Sequence, residues 1–201
     1  MEQDVYAQFL QRASELSGEL HKAIAEIGPI HFPEREDDGL AYFLARAVVG
    51  QQLSIKAARS IWRRVEGLAE SSGMGIPRLI TEGNEEALRR CGVSKNKVRA
   101  LLGIGEAEAA GLLLGEKVRG MDHRSRTGHL IGMWGIGPWT CDMVSIFYCR
   151  DPDVWPTGDI AVQRTFANFM DGRKLSRALR LFVPYRSYLA LYMWRVVDGT
   201  P

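Results

Sequence analysis

Residues 130–164 contain the residue types and spacings that are best suited to chemistry. The sequence GIGP occupies positions 135–138, and the sequence WPTGD further along ends at Asp159. Two glycines around one apolar residue allow a tight turn with positive φ, and a proline suits the first position of a helix. The pattern therefore predicts a helix, a short hairpin, and a second helix whose free N–H groups face outward.

The predicted hairpin is suited to binding a phosphate group. Free N–H groups at a helix N-terminus attract anions. The carbonyls of Met133 and Gly135 can also hold a monovalent cation, Na⁺ or K⁺, which would draw a phosphate towards the turn. The alternative is an ordinary connection between two helices, with a glycine stop and a proline start.

Asp159 is the candidate catalytic group. It follows a Pro/Gly turn at the start of a predicted helix, and a carboxylate held at such a position can stabilise positive charge in a transition state and orient a water molecule. The alternative is that Asp159 only caps a helix over 159–170. Asp142 is the rival carboxylate, for which we expect a bond to local backbone or a partner helix. Asp151 and Asp153 are expected in a solvent-exposed loop.

Helical periodicity runs through the sequence and predicts an all-α fold. An apolar stripe predicts one first helix over 5–27, and a proline-containing acidic loop follows over 29–39. Ser54 is a plausible N-cap, and Ile55 is expected to face inward just after it. The further helices are predicted over 40–49, 54–69, 77–81, 84–90, 95–114, 122–133, 138–149, 159–170, 174–182 and 185–197.

Composition limits the class of protein. The 201 residues are 46% hydrophobic and 25% charged, which excludes disordered, collagen-like and disulfide-stapled chains. No apolar run reaches the roughly 20 residues of a membrane span, and the first residues do not read as a leader. We therefore expect no membrane association and a cytoplasmic protein, close to the nucleoid if the source is prokaryotic. Cys91, Cys141 and Cys149 are expected to be mostly buried thiols.

Positive charge is concentrated after residue 40. Residues 1–40 hold nine acidic and three basic side chains, a net charge of −6, so residues 41–201 carry +8 within an overall charge of +2. Basic clusters suit phosphate contacts, and they predict DNA binding that weakens steeply with salt. Solvated helix faces are the alternative. The clusters fall within 56–64, 89–99, 117–126 and 173–180.

Five blocks of sequence resemble, in order, a known family. LIGMWGIGPWTCDMV (130–144) resembles the hairpin of the helix-hairpin-helix DNA glycosylases, and DVWPTGDIAVQR (153–164) resembles the loop that ends in their catalytic aspartate. Three more blocks are similar to segments of the 3-methyladenine DNA glycosylase II type: LARAVVGQQLSIKAARSIW (44–62), GVSKNKVRALLGIGEA (92–107) and VPYRSYLALYMWRV (183–196).

The resemblance implies a two-lobed helical fold in the compact form, without the N-terminal β domain of one subgroup. One lobe is expected over 41–155 and contains the hairpin. The other is expected to combine 1–40 with 156–201, and the active cleft is expected between them.

The resemblance also implies an activity. The expected protein is a monofunctional glycosylase that excises alkylated purines such as 3-methyladenine and 7-methylguanine, and leaves an abasic site. Trp139 stands where strand-cutting relatives carry a Schiff-base lysine. The chain has no cysteine after Cys149, so no iron–sulfur cluster is expected, and no other cofactor besides the hairpin cation. The alternatives are a glycosylase for deaminated purines or uracil, and a non-catalytic DNA-binding module.

The same resemblance assigns residues to damaged double-stranded DNA, with a monomer as the expected state. The base pocket is assigned to Trp139, Tyr185 and Met143, the last at a position where the family has a tyrosine. Gln52 and Leu53 are assigned to the wedge that fills the gap left by a flipped base, although a structural role for the glutamine pair is the alternative. Contacts to the DNA backbone are assigned to Gly135, Gly137, Thr140 and Lys97, whereas a core position is expected for Trp134, Trp155 and Trp194.

Overall fold

The computed structural model describes residues 1, 3–32, 39–81, 83–170 and 172–198, and these residues form helices and turns without a strand. The all-α prediction is confirmed. Residues 33–38 of the predicted acidic loop lie outside the described residues. The helices are α1 (Gln3–Leu16), α2 (Gly18–Ile27), α3 (Gly39–Gly50), α4 (Ile55–Ser71), α5 (Ile76–Leu79), α6 (Glu85–Arg90), α7 (Lys95–Ala109), α8 (Gly115–Arg119), α9 (His123–Leu130), α10 (Pro138–Met143), α11 (Ile160–Asn168), α12 (Leu175–Leu181) and α13 (Arg186–Asp198).

The prediction of a single first helix over 5–27 is wrong, because α1 ends at Leu16 and α2 begins at Gly18, with Ser17 between them. Ser17 has an extended backbone, and its side chain accepts a hydrogen bond from the Leu20 N–H at 3.3 Å. A serine that caps a new helix ends the previous one. The apolar stripe continues across the break, since Leu16 and Leu20 are both buried.

The remaining predicted helices are present, with three differences. Helix α7 ends at Ala109 instead of continuing to 114, and the short helix α8 follows it. Helix α10 continues through a π-helical turn, Val144–Tyr148, which completes the helix predicted over 138–149. Ser54 caps α4 as expected, but Ile55 is 66% exposed and does not face inward.

The chain divides into two compact units, Met1–Glu34 with Arg150–Pro201, and Arg35–Cys149. The sequence-based division places the boundaries a few residues later, at 41 and 156. The first unit combines the two ends of the chain. Its core includes an aromatic cluster in which Phe9 lies 4.9 Å from Phe182 and 5.4 Å from Tyr192, measured between ring centroids.

The second unit is built around α3, which packs against α4 and α7. Leu44 and Val48 of α3 are fully buried with Leu101 and Ile104 of α7. Cys91 and Cys141 are buried and Cys149 is half-buried, as predicted. Within the described residues, no helix has the length and apolar character needed to cross a membrane.

Candidate functional site

The hairpin predicted at GIGP joins α9 to α10 through two successive turns. The Met133 N–H donates to the Leu130 carbonyl at 3.1 Å, and the Ile136 N–H donates to the Met133 carbonyl at 3.1 Å. Ile136 is buried between the two glycines, and Pro138 opens α10. The apolar residue therefore fastens the turn to the core and leaves the glycine backbone at the surface.

The two glycines have different backbone roles, and only Gly135 has the positive φ that the sequence predicts for the turn. Gly135 has φ +80°, and a Cβ at this position would lie 2.6 Å from the Ala100 Cβ of α7. Gly137 has φ −103°, which any residue adopts, and a Cβ there would meet nothing within 4 Å. The fold requires glycine at 135, whereas glycine at 137 leaves open space above the backbone.

The predicted wedge residues lie in the turn between α3 and α4. Gln52 has φ +56°, a left-handed backbone that is unfavourable for a residue with a side chain. Its side chain is exposed, and Leu53 beside it is 40% exposed. Strain of this kind is kept where the surroundings hold the backbone in place and is frequent at functional sites.

Two side chains hold this turn in place. The Gln51 Nε2 donates to the Gly135 carbonyl at 3.0 Å and to the Thr140 Oγ1 at 3.1 Å. The Lys97 Nζ donates to the carbonyls of Val49 and Gln51, both at 2.8 Å. The predicted wedge and the predicted phosphate-binding hairpin are thus one hydrogen-bonded assembly.

Lys97 is used inside the protein, because its ammonium group satisfies carbonyls at the end of α3. Partial burial lowers the pKa of Lys97 below that of an exposed lysine. Its predicted contact with a DNA phosphate stays a prediction.

The side chain of Thr140 is used inside the protein, and the predicted contact of this residue with the DNA backbone stays a prediction. Thr140 is only 1% exposed, and its hydroxyl accepts the hydrogen bond from Gln51. The Thr140 hydroxyl therefore helps to hold the hairpin in place.

The two carbonyls predicted for a monovalent cation each accept one hydrogen bond already. Met133 accepts from the Ile136 N–H, and Gly135 accepts from Gln51. A carbonyl oxygen has two lone pairs, so the donor set fits a cation as an additional partner. The cation stays a prediction. Among the described residues, no group of three or more His, Cys, Asp or Glu side chains could hold a metal ion.

Asp159 is the N-cap of α11. Its Oδ1 accepts a hydrogen bond from the Val162 N–H at 3.0 Å, and its own N–H donates to the Pro156 carbonyl at 3.0 Å. The capping role considered from sequence is therefore real. It also fixes the carboxylate at a defined position at the start of a helix, which is what the catalytic role requires.

The loop that leads to Asp159 is anchored to α13. Asp153 accepts hydrogen bonds from Arg186 at 2.7 Å from Nε and at 2.8 Å from Nη2, a two-pronged ion pair. Ser187 is fully buried, accepts from the Val154 N–H at 2.9 Å and donates to the Asp151 carbonyl at 2.6 Å. The expectation of a solvent-exposed loop at Asp151 and Asp153 is wrong, because α13 supplies partners that the local sequence does not show.

Asp142 bonds to a partner helix, as expected. Its Oδ1 lies 3.3 Å from the His123 Nε2 of α9, and the other ring nitrogen, Nδ1, lies 3.0 Å from the Ser145 Oγ. Asp142 and Ser145 are both buried. This arrangement joins the helices on the two sides of the hairpin, so Asp142 serves the fold.

The residues assigned to the base pocket differ in exposure. Trp139, in the first turn of α10, is half-buried, whereas Met143 is 6% exposed. Tyr185 is half-buried against the core of the first unit. The centroid of its ring lies 6.3 Å from that of the Tyr188 ring and 5.9 Å from the Arg12 guanidinium carbon. Their shared role in a pocket stays a prediction.

The core position predicted for Trp134 is wrong. Trp134 is 52% exposed at the hairpin, and the Arg99 guanidinium stacks over its ring at 3.7 Å. An arginine can cover an aromatic face and leave it at the surface. Trp155 is buried as predicted, 5.3 Å from Phe166, and Trp194 packs half-buried against the same core.

The structural role considered for the glutamine pair is present at Gln51, which bonds to Gly135 and Thr140. Sequence reasoning missed the supporting residues His123, Arg186 and Ser187. These three carry no local signal, because their partners are distant in sequence.

Comparison with known proteins agrees with this geometry. No family model matches the chain. The chain is 29% identical over 159 residues to DNA-3-methyladenine glycosylase 1 of Schizosaccharomyces pombe. The matched region covers 76% of this chain and 70% of that protein. The S. pombe 3-methyladenine DNA glycosylase in complex with abasic DNA has a TM-score of 0.81 at 26% identity, and covers 94% of this chain and 97% of its own.

The chain is therefore similar in sequence and in fold to the helix-hairpin-helix DNA glycosylases. A solved DNA-3-methyladenine glycosidase from Bacillus halodurans has a TM-score of 0.76 at 27% identity, and covers 95% of this chain and 91% of its own. Each of these two glycosylase structures and this chain cover each other almost completely.

Proposed function

We propose that the chain is a monofunctional DNA glycosylase that flips out alkylated purines, such as 3-methyladenine and 7-methylguanine, and releases them in base excision repair. The observation that carries the proposal is the near-complete structural match to a 3-methyladenine DNA glycosylase solved with abasic DNA. An abasic site is the product that a glycosylase leaves when it removes a base.

DNA binding begins at the hairpin in this proposal. The exposed backbone at Gly137 and the first turn of α10 would bind a phosphate of the damaged strand through N–H groups. The open space above Gly137 supports this, because no side chain of this residue stands between the phosphate and the backbone.

The wedge turn fills the gap that the flipped base leaves. An enzyme that extracts a base from the stack must replace it to limit the loss of stacking and pairing. Gln52 is exposed, held in a left-handed backbone, and braced from below by Gln51 and Lys97. A rigid support of this kind suits a side chain that is pressed into a duplex.

Asp159 is the catalytic residue of the proposal. As the bond between C1′ and the base nitrogen breaks, both bonding electrons leave with the base, and the sugar becomes an oxocarbenium-like cation. The Asp159 carboxylate stabilises that cation and orients a water molecule, whose oxygen bonds to C1′ and whose proton is lost to the carboxylate or to solvent. The hydrogen bond from Val162 supports this role by fixing the orientation of the carboxylate.

Substrate choice follows from charge. An alkylated purine such as 3-methyladenine carries positive charge, and the face of an electron-rich ring such as that of Trp139 attracts a cation. The charged base is also a good leaving group, so its release needs little protonation by the protein. Met143 takes the place of a ring in the family and favours a second candidate function, excision of deaminated purines or uracil.

Strand cleavage is not part of the proposed reaction. A glycosylase that cuts the strand uses an amine to form a Schiff base with the sugar. Trp139 stands at the hairpin position where such relatives carry that lysine, and an indole cannot form a Schiff base. Water is therefore the nucleophile.

The test is release of free bases from methylated duplex DNA, with products separated by chromatography. We expect 3-methyladenine and 7-methylguanine in the supernatant, and strand breaks only after alkaline treatment. Parallel duplexes that contain hypoxanthine or uracil test the second candidate. Duplex binding with no release from any substrate would contradict the proposal and favour a non-catalytic module.

A further inference from the structure

A groove of about 600 Å³ lies between α3 and α4, and none of its lining residues is assigned above to catalysis, the base pocket, the wedge or the hairpin. It begins at Gly50, directly before the wedge turn, and runs along the first turns of α4. We call it the arginine groove. The residues that matter below are Tyr42, Ile55, Arg59, Trp62, Arg63 and Glu66.

Two guanidinium groups of the groove are available for a ligand. Arg59 and Arg63 are four residues apart, so they lie on the same face of α4, and both are exposed. Neither makes a hydrogen bond or an ion pair within the described part of the chain. A guanidinium group binds phosphate through two parallel hydrogen bonds, which makes a neighbouring pair of arginines well suited to a DNA backbone.

Hydrogen bonds and ring packing join Tyr42, Trp62 and Glu66 in the wall of the groove. The Tyr42 hydroxyl donates to the Glu66 Oε1 at 2.6 Å and accepts from the Trp62 Nε1 at 3.2 Å. The Tyr42 and Trp62 rings pack edge to face at 5.2 Å. Glu66 keeps its negative charge, but three arginines line the groove, Arg46, Arg59 and Arg63, so the groove has a net positive charge.

The groove and the hairpin lie on opposite faces of α3. Arg46 and Gly50 line the groove, whereas Val48 lines the pocket next to Gly135. Residues two apart on a helix point about 200° apart, so these residues face opposite directions. The wedge turn at the end of α3 lies between the two faces.

We propose that the arginine groove binds backbone phosphates of the DNA strand opposite the damaged base. This inference rests on the proposed function, because it assumes that the wedge turn enters the duplex and that the hairpin holds the damaged strand. A wedge inserted between two strands has one strand on each side, and the groove lies on the side away from the hairpin. Ile55, 66% exposed, lies beside the wedge and would contact sugars or base edges.

The test removes the two guanidinium groups and asks which strand loses a contact. We compare the wild-type protein with Arg59→Gln/Arg63→Gln on a duplex that contains a stable abasic-site analogue. The matched control is Lys22→Gln/Arg78→Gln, which removes the same charge from two exposed basic residues outside the four basic clusters. Circular dichroism and thermal unfolding verify that each variant is folded.

We expect the groove variant to bind the duplex at least about tenfold more weakly at low salt, with the control close to wild type. The slope of log affinity against log salt concentration should fall by about 2. Arg59→Lys/Arg63→Lys keeps both charges and should recover part of the loss.

The strand is identified by placing single uncharged methylphosphonates along each strand. On the strand opposite the lesion, one or two such positions should weaken binding by wild type and the control but not by the groove variant. Positions on the damaged strand should affect all three proteins equally. The inference is overturned if the groove variant keeps the full sensitivity of wild type on the opposite strand, or if the control loses as much affinity.

The proposed function and this inference fail separately. Base release by wild type, together with a groove variant whose methylphosphonate scan equals that of wild type, overturns only the inference. An opposite-strand contact that depends on the two arginines, without base release from any damaged duplex, supports the inference and overturns the glycosylase proposal. Failure of wild type to bind any duplex overturns both.

Discussion

The side-chain amide of Gln51 donates a hydrogen bond to the carbonyl of Gly135, 84 residues away in sequence, at 3.0 Å. The bond joins the turn that carries Gln52 to the hairpin between α9 and α10. A displacement of the turn during base extraction would therefore be transmitted to the hairpin, and a phosphate held by the hairpin would resist it.

Substitution of Gln51 should weaken this connection. In Gln51→Ala, two hydrogen bonds are lost and the buried Thr140 hydroxyl loses its donor, so we expect the free energy of unfolding to fall by about 1–2 kcal/mol. Affinity for an abasic duplex should also fall. Gln11→Ala is the matched control, since Gln11 makes an exposed hydrogen bond to Glu15 in α1. Equal effects of the two substitutions would contradict the coupling.

The two hairpin glycines should respond differently to alanine. Gly135→Ala adds a methyl group 2.6 Å from the Ala100 Cβ at a φ of +80°, so we expect a loss of about 2–4 kcal/mol in the free energy of unfolding. Gly137→Ala should change stability by less than about 0.5 kcal/mol but weaken duplex binding, because the methyl group occupies the space proposed for a phosphate. Denaturant unfolding and duplex titration separate the effects. Unchanged duplex binding in Gly137→Ala would contradict the phosphate contact.

Replacing Gln52 with glycine should raise stability and lower activity. Gln52→Gly relieves the left-handed backbone and should raise the free energy of unfolding by roughly 0.5–1 kcal/mol. It also removes the wedge side chain and should slow base release under single-turnover conditions. Gln52→Ala should slow release to a similar extent without the gain in stability. Full activity in both variants would remove Gln52 from the wedge.

Asp159 and Asp122 provide a matched test of catalysis. Both cap a helix through a carboxylate oxygen, Asp159 at Val162 and Asp122 at Ser125. Asparagine caps a helix about as well as aspartate, so Asp159→Asn and Asp122→Asn should each change stability by less than about 0.5 kcal/mol. Base release should fall at least about 100-fold in Asp159→Asn alone, with duplex binding retained. Equal release by both variants would assign Asp159 to capping only.

Stability should fall in alkaline solution through Cys141. Burial, with a contribution from the Asp142 carboxylate, raises the pKa of the Cys141 thiol to about 11. Between about pH 9 and 11 the unfolded chain loses the thiol proton while the folded chain keeps it, so the free energy of unfolding decreases as pH rises. The decrease should reach roughly 2–3 kcal/mol in wild type and be smaller in Cys141→Ala. Parallel curves for the two proteins over this range, measured by urea unfolding, would contradict the assignment.

The sequence predicted those parts of the molecule that depend on local pattern. Helical periodicity and capping residues located most helices, and the hairpin followed from GIGP alone. The first helix was misjudged because an apolar stripe continued through the Ser17 cap. Ile55 and Trp134 were misplaced because periodicity identifies an apolar residue but not whether a partner covers it.

The supporting bonds of the site could not be predicted from the sequence, because they join distant segments. Lys97 reaches the Val49 carbonyl across 48 residues, and Arg186 reaches Asp153 across 33. Each bond exists only after the helices have packed. The roles of single motif residues could be inferred, but the contacts that hold them in place could not.

The first unit is built from two segments that are distant in sequence, which has a consequence for protein synthesis. Phe9, in α1, packs against Phe182 and Tyr192, which the ribosome adds only after the whole of the contiguous unit. The contiguous unit, Arg35–Cys149, can fold while the chain is still growing, whereas the first two helices must wait for α13. During that interval the apolar faces of α1 and α2 have no native partners, so this is the part of the nascent chain that a chaperone would need to shield.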